Sequence, residues 1–105
     1  QIGLYTDDEL VSPLAFKLFP NYPNPFNPHT RITYQLSKTD HVGLIITDIL
    51  GREVIQLKNV IENAGFHSII WNGKDRFGHS VSAGVYFVLL KAGDITRTQK
   101  MLLVK

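Results

Sequence analysis

The sequence predicts an all-β fold, an antiparallel β-sandwich of about seven short strands. Three observations lead there. Apolar and polar residues alternate strictly in runs such as Arg31-Ile32-Thr33-Tyr34-Gln35-Leu36, which places Ile32, Tyr34 and Leu36 on one face. Turn signals recur about every eight to twelve residues, and no segment carries a convincing helical period. This spacing is that of an immunoglobulin-like sandwich. A barrel is the alternative, because a pattern of strands does not fix how a sheet closes.

Each element follows from its residues. Residues 1–13 read as a linker from an upstream domain, with the acidic cluster Asp7-Asp8-Glu9 and a short strand around Ile2 to Tyr5. The folded body is expected over residues 14–105. Leu14 to Phe19 is apolar-rich and stops at Pro20, which cannot donate to a ladder. After Arg31 to Leu36, a turn over Ser37 to Asp40 leads into His41 to Thr47, with Val42, Leu44 and Ile46 inward. Gly51 supplies the positive φ of a tight turn within Asp48-Ile49-Leu50-Gly51-Arg52. The returning strand is read as Glu53 to Leu57, followed by a turn from Lys58 to Gly65.

Phe66 to Trp71 is the next strand, and Asn72-Gly73 is a strong turn signal directly after it. Lys74 to Ser82 is a long polar connection. Gly84 to Leu90 is apolar on both faces, as expected of a central strand. Ala92-Gly93-Asp94 turns the chain, and Ile95 to Val104 pairs back as the last strand.

The bulk numbers narrow the function classes. A chain of 105 residues with 44% hydrophobic content fits one domain with a real core. The net charge is +2 and the eleven Lys and Arg are scattered, so no basic footprint for nucleic acid exists. There is no cysteine, which excludes a disulfide scaffold, a thiolate metal site and a cysteine nucleophile. No apolar run approaches the roughly 18 residues of a spanning helix. The chain opens at Gln1, without a signal peptide, and reads as a segment of a longer polypeptide.

The residues for catalysis are missing. His29, His41, His67 and His79 have no zinc-like spacing. His67 alternates with Ile69 and Trp71 and is expected to face the core, while the other three read as turn residues. Asn72 to Gly78 offers only Asp75 as a carboxylate, far short of a calcium loop, and reads as a turn. Asp48 and Glu53 flank Gly51 and read equally well as solvated hairpin ends; a glycosidase pair would need a cleft, which nothing in the sequence indicates. No cofactor is expected, and the domain is expected to be non-catalytic. Among Tyr5, Tyr22, Tyr34, Trp71 and Tyr86, the strand aromatics Tyr34, Trp71 and Tyr86 read as core rather than as a sugar platform.

Two segments remain. Asn21-Tyr22-Pro23-Asn24-Pro25-Phe26-Asn27-Pro28 packs three prolines and three asparagines into eight residues. Proline fixes φ, removes a donor and forces its predecessor into extended geometry, so this is a stiff loop. Tyr22 and Phe26 are its expected apolar anchors. The carboxyl end, Lys100-Met101-Leu102-Leu103-Val104-Lys105, is a strand without a polar tail. It is either a paired edge guarded by its lysines or an element read by strand addition.

The ordered set of motifs resembles the type A C-terminal sorting domain of the type IX secretion system. The pieces are Asn21 to Pro28 with Thr30 and Ile32-Thr33-Tyr34, then Asp48 to Val54, Ala64-Gly65-Phe66-His67 and Trp71 to Asp75 with Gly78. Gly84-Val85-Tyr86-Phe87, Ala92-Gly93 and Thr98 to Lys105 complete it. The resemblance covers about Phe16 to Lys105. The part from Trp71 to Phe87 also resembles the immunoglobulin-like domain of flagellar hook-capping proteins. His29 and Thr47 depart from the pattern, standing where serine and tyrosine are common.

The resemblance implies a sorting signal at the end of secreted or cell-surface proteins of Bacteroidetes-like bacteria. It implies delivery of an upstream cargo domain from the periplasm across the outer membrane by the secretion machinery. It also implies removal by a sorting peptidase in the linker before Phe16, with attachment of the cargo to surface lipopolysaccharide. Recognition would fall on Lys100 to Lys105 and on Gly84-Val85-Tyr86. The alternative is an accessory module that stays on its enzyme and contacts polysaccharide or the catalytic domain.

Overall fold

The computed structural model describes residues 15–105. The expected linker, the strand around Ile2 to Tyr5 and Leu14 lie outside the described residues. Seven strands form in order: β1 (Lys17–Leu18), β2 (Thr30–Leu36), β3 (Asp40–Thr47), β4 (Glu53–Glu62), β5 (Gly65–Trp71), β6 (Gly84–Ala92) and β7 (Ile95–Leu103). They make two antiparallel sheets, β1-β2-β5 and β4-β3-β6-β7. The sandwich is therefore realised, and the barrel is not.

Alternation explains most of the core. Ile32, Tyr34 and Leu36 of β2 face Val42, Leu44 and Ile46 of β3 and Tyr86, Val88 and Leu90 of β6 across the space between sheets. Met101 and Leu103 of β7 and Trp71 of β5 join them. Burial of such side chains stabilises by about 1.5–3 kcal/mol each, which drives the two layers together. β6 lies inside the larger sheet, between β3 and β7, as its two apolar faces predict.

Three expectations about elements are corrected. β4 does not end at Leu57 but runs to Glu62, so most of the expected Lys58 to Gly65 turn is strand. β3 needs a partner along its whole length, and Asp40 pairs with Glu62, His41 with Ile61 and Val42 with Val60. Register shifts between Leu44 and Ile45 and between Ile46 and Thr47 break the alternation that would have revealed this. His41 stands in β3, as the strand expected over His41 to Thr47 has it, and not in a turn as the reading of the histidines had it. The expected first strand, Leu14 to Phe19, shrinks to the two residues of β1.

Candidate functional site

The motif loop and the carboxyl-terminal strand, far apart in sequence, form one hydrogen-bonded unit. Phe26 bridges Leu103 in parallel, its N–H donating to the Leu102 carbonyl at 3.0 Å. The Val104 N–H donates to the Phe26 carbonyl at 2.9 Å. Pro25 has no N–H to extend this ladder, and the Asn24 carboxamide stands in for the missing peptide group. Its Oδ1 accepts from the Leu102 N–H at 3.0 Å, and its Nδ2 donates to the Lys100 carbonyl at 3.3 Å.

On its other side the same stretch of β7 pairs with the start of β6: Gly84 with Leu103, Val85 with Leu102 and Tyr86 with Met101. The motif loop and the two segments on which the resemblance places recognition thus meet in one place. Over Lys100 to Val104 the last strand is hydrogen-bonded on both of its sides. Further along β7, Thr96 and Thr98 have no strand on their outer side among the described residues.

The unit is pinned from beneath. Phe26 is buried against Trp71, with ring centroids 5.6 Å apart, and Trp71 meets the edge of Tyr86 at 5.4 Å. The Trp71 indole N–H donates to the Lys74 carbonyl at 2.9 Å, fixing the turn that follows β5. Gly73 there has φ +74°, and a Cβ on it would lie 3.1 Å from the Pro28 carbonyl oxygen. Only glycine lets that turn approach the loop so closely. The Tyr86 hydroxyl donates to the Ser82 carbonyl at 2.6 Å, and its burial raises the phenol above its ordinary pKa.

Tyr22 corrects an expectation: it is 80% exposed and is not an anchor. Asn21 is the buried residue instead, donating to the Thr30 hydroxyl at 2.9 Å while that hydroxyl donates to the Pro23 carbonyl at 2.8 Å. Tyr22 is held only through its backbone, which exchanges hydrogen bonds with Arg31 at 3.0 and 2.8 Å. Lys100 and Lys105 are exposed, as are Leu102 and Val104, whereas Met101 and Leu103 point into the core.

A second constellation, of polar residues, crosses between the sheets where sequence reasoning saw core at Tyr34 and His67 and a turn at Lys58 and Glu62. The Tyr34 hydroxyl of β2 donates to Glu62 of β4. Lys58 Nζ donates to Glu62 Oε2 at 2.7 Å and to the Tyr34 hydroxyl at 2.9 Å. His67, beside Trp71 on the inner face of β5 as expected, stacks on Tyr34 with centroids 5.5 Å apart. Its Nδ1 lies 3.6 Å from the same Glu62 oxygen. Burial works against the Glu62 charge, but the Lys58 and Tyr34 hydrogen bonds and the neighbouring positive charges hold its pKa below the ordinary value. Burial, reinforced by Glu62, pushes the Tyr34 phenol far up, so it stays a neutral donor.

Two turns repeat one design, Asp-x-x-Gly followed by a basic residue. In Asp48 to Arg52 the aspartate carboxylate accepts from the Leu50 and Arg52 amides at 2.9 Å each, and Arg52 Nε adds an ion pair at 2.8 Å. In Asp75 to His79 it accepts from the Phe77 and His79 amides, again at 2.9 Å each. Gly51 and Gly78 take φ of +83° and +84°, and each donates its N–H to its aspartate's carbonyl at 3.0 Å.

Both carboxyls are held below their ordinary pKa. At Asp48, desolvation opposes the charge but the Arg52 and Leu50 hydrogen bonds outweigh it. At Asp75 the His79 amide contributes most. Asp75 is thus occupied by its own turn, and among the described residues no group of three or more His, Asp or Glu could hold a metal ion.

Residues 20–105 match the model of a family described as the secretion system C-terminal sorting domain. The chain belongs to this family. The resemblance carried by the motif loop, the Asp48 to Val54 turn and the last strand is borne out, and a domain of this family marks a secreted or cell-surface protein. No curated protein matches the chain.

Among solved structures, the sorting domain is similar to PorZ, described as an essential bacterial surface component of the type-IX secretion system of Porphyromonas gingivalis. The match has a TM-score of 0.61 and 22% identity, covering 84% of this chain and 11% of PorZ. It is also similar to dimeric latent PorU of Porphyromonas gingivalis, with a TM-score of 0.64 and 19% identity, covering 90% of this chain and 10% of PorU. FlgD of P. aeruginosa matches with a TM-score of 0.58 and 18% identity, covering 88% of this chain and 74% of FlgD. The chain spans about a tenth of the length of PorZ and PorU. At these identities the likeness shows the fold.

Proposed function

We propose that this sorting domain delivers an upstream cargo across the outer membrane by type IX secretion, and that its handle is the folded unit of motif loop and terminal strand. The observation that carries this reading is the ladder from Asn24 and Phe26 to Lys100, Leu102 and Val104. It holds the backbone from Lys100 to Val104 in a fixed edge, so recognition of that backbone costs little ordering entropy. The secretion machinery reads Lys100 to Lys105 together with Gly84-Val85-Tyr86. A sorting peptidase cuts in the linker before Phe16, and the released cargo is attached to surface lipopolysaccharide.

The test is export of a reporter bearing the chain at its carboxyl end, expressed in a bacterium with this secretion system. Deleting Lys100 to Lys105 is expected to strand the reporter in the periplasm. Replacing Asp7, Asp8 and Glu9 by serine is expected to leave export intact. Normal export after the deletion overturns the reading.

The rival reading, an accessory module touching polysaccharide, has one supporting observation: Tyr22 is an exposed aromatic beside Arg31 and Ile70. Retention of the domain on a polysaccharide column, lost in Tyr22→Ala, would favour it.

A further inference from the structure

β5 is an edge strand of the small sheet, and its outer face meets water, where alternation calls for polar residues. Phe66 and Ile70 stand there instead, 67% and 49% exposed. Register gathers them into one patch. Lys17, Gln35 and Phe66 form one cross-strand row, and Tyr22, Arg31 and Ile70 form another. Between the rows, Phe19 donates its N–H to the Thr33 carbonyl at 3.0 Å and stacks on Phe66, with ring centroids 6.1 Å apart. Tyr22, Arg31 and Ile70 also line one cleft of about 240 Å³. Arg31 Nη1 donates to the Ser68 hydroxyl at 3.3 Å, which holds the guanidinium over this face.

The charge on this layer has one sign. Residues 15–36 and 65–74, which make the small sheet and the motif loop, contain Lys17, Arg31 and Lys74 but no carboxylate. Asp40, Asp48, Glu53, Glu62, Asp75 and Asp94 all lie on the larger sheet or in its connections. Among the described residues neither Lys17 nor Arg31 has an ion-pair partner. We infer that the outer face of the β1-β2-β5 sheet docks on an anionic lipid bilayer, with Lys17 and Arg31 on headgroup phosphates and Phe19, Tyr22, Phe66 and Ile70 at the interface. Amphipathic surfaces bind membranes by burying apolar area and by attraction to anionic lipids. The rows of Lys17 and Arg31 are about 13 Å apart along the sheet, so a layer of headgroups meets both cations where one acidic side chain does not. Unpaired cations on a face without carboxylates also disfavour a protein rim of mixed charge. The inference stands apart from the sorting reading.

Flotation of the parent chain tests it, with vesicles of equimolar phosphatidylglycerol and phosphatidylcholine against vesicles of phosphatidylcholine alone. The parent is expected to float about tenfold better with the anionic vesicles, and high salt should remove the difference. Lys17→Gln with Arg31→Gln should lower flotation about tenfold, and Phe66→Ser with Ile70→Ser should do the same. Leu50→Ser with Phe77→Ser removes exposed apolar side chains elsewhere and should float like the parent. Circular dichroism and the melting temperature report folding of each variant; should the Phe66 and Ile70 pair melt early, the cation pair decides. No flotation of the folded parent overturns the inference, as does flotation that the cation pair leaves unchanged. Equal loss in the Leu50 and Phe77 variant reveals general stickiness and overturns it too. Retention on a polyglutamate or polysaccharide column without flotation, lost in the cation pair, assigns the face to an acidic peptide or a saccharide and overturns the lipid partner.

Discussion

Two clusters tie the sheets of this sorting domain together, and they do so by opposite chemistry. Phe26, Trp71 and Tyr86 join the motif loop to both layers through aromatic packing. Tyr34, Lys58, Glu62 and His67 join β2, β4 and β5 through hydrogen bonds and charge. The first is set by volume and is indifferent to pH. The second depends on the Glu62 carboxylate, whose charge the folded state favours. The comparison teaches that one tie between the sheets rests on packed volume and the other on charge, so acid loosens the second tie directly.

The largest expected effect comes from emptying the aromatic cluster. Trp71→Ala should cost about 3–5 kcal/mol and loosen the motif loop, read as a drop in the denaturant midpoint. Phe26→Ala should fall in the same range and should also expose the outer edge of β7.

Breaking the polar cluster comes next. Glu62→Ala leaves Lys58 and the Tyr34 hydroxyl without their acceptor, at about 2 kcal/mol by chemical denaturation. Because the Glu62 pKa is lowered on folding, its contribution is complete above the ordinary value of 4.5 and is lost as pH falls through the folded value. Glu62→Gln should therefore flatten the fall of stability with acid, leaving a slope from Asp48 and Asp75, which shift the same way. A parent and variant with equal acid slopes would remove the electrostatic account of this cluster.

Smaller still is Asn24→Ala, at about 1 kcal/mol, since it removes two hydrogen bonds at an exposed edge. Leu50→Ser and Phe77→Ser should change stability by less than about 0.5 kcal/mol, since both side chains stand in solvent.

Much of the fold was legible because alternation survives wherever one face is buried and the register is regular. β2, the inward set of β3, the central place of β6 and the hairpin into β7 all follow from that pattern. β4 was not legible past Leu57, because Lys58 and Glu62 look like turn residues until Tyr34 arrives from the opposite sheet as their partner. Sequence reasoning selected the loop, Gly84-Val85-Tyr86 and the last strand separately. Their union depends on Asn24 acting as a peptide surrogate, which composition does not encode. Tyr22 was misjudged because aromatic residues in loops usually anchor, whereas here Asn21 is buried. The repeated turns could have been found, since Asp48-x-x-Gly51 and Asp75-x-x-Gly78 share their spacing in the sequence.

Amide hydrogen exchange at Leu102 and Val104 tests most directly whether the chain's end is held as part of the folded body. The structure predicts both amides slowed at least a hundredfold relative to an unstructured peptide, with Asn24→Ala releasing Leu102 and sparing Val104. Exchange of both at the free-peptide rate in the parent chain would contradict it.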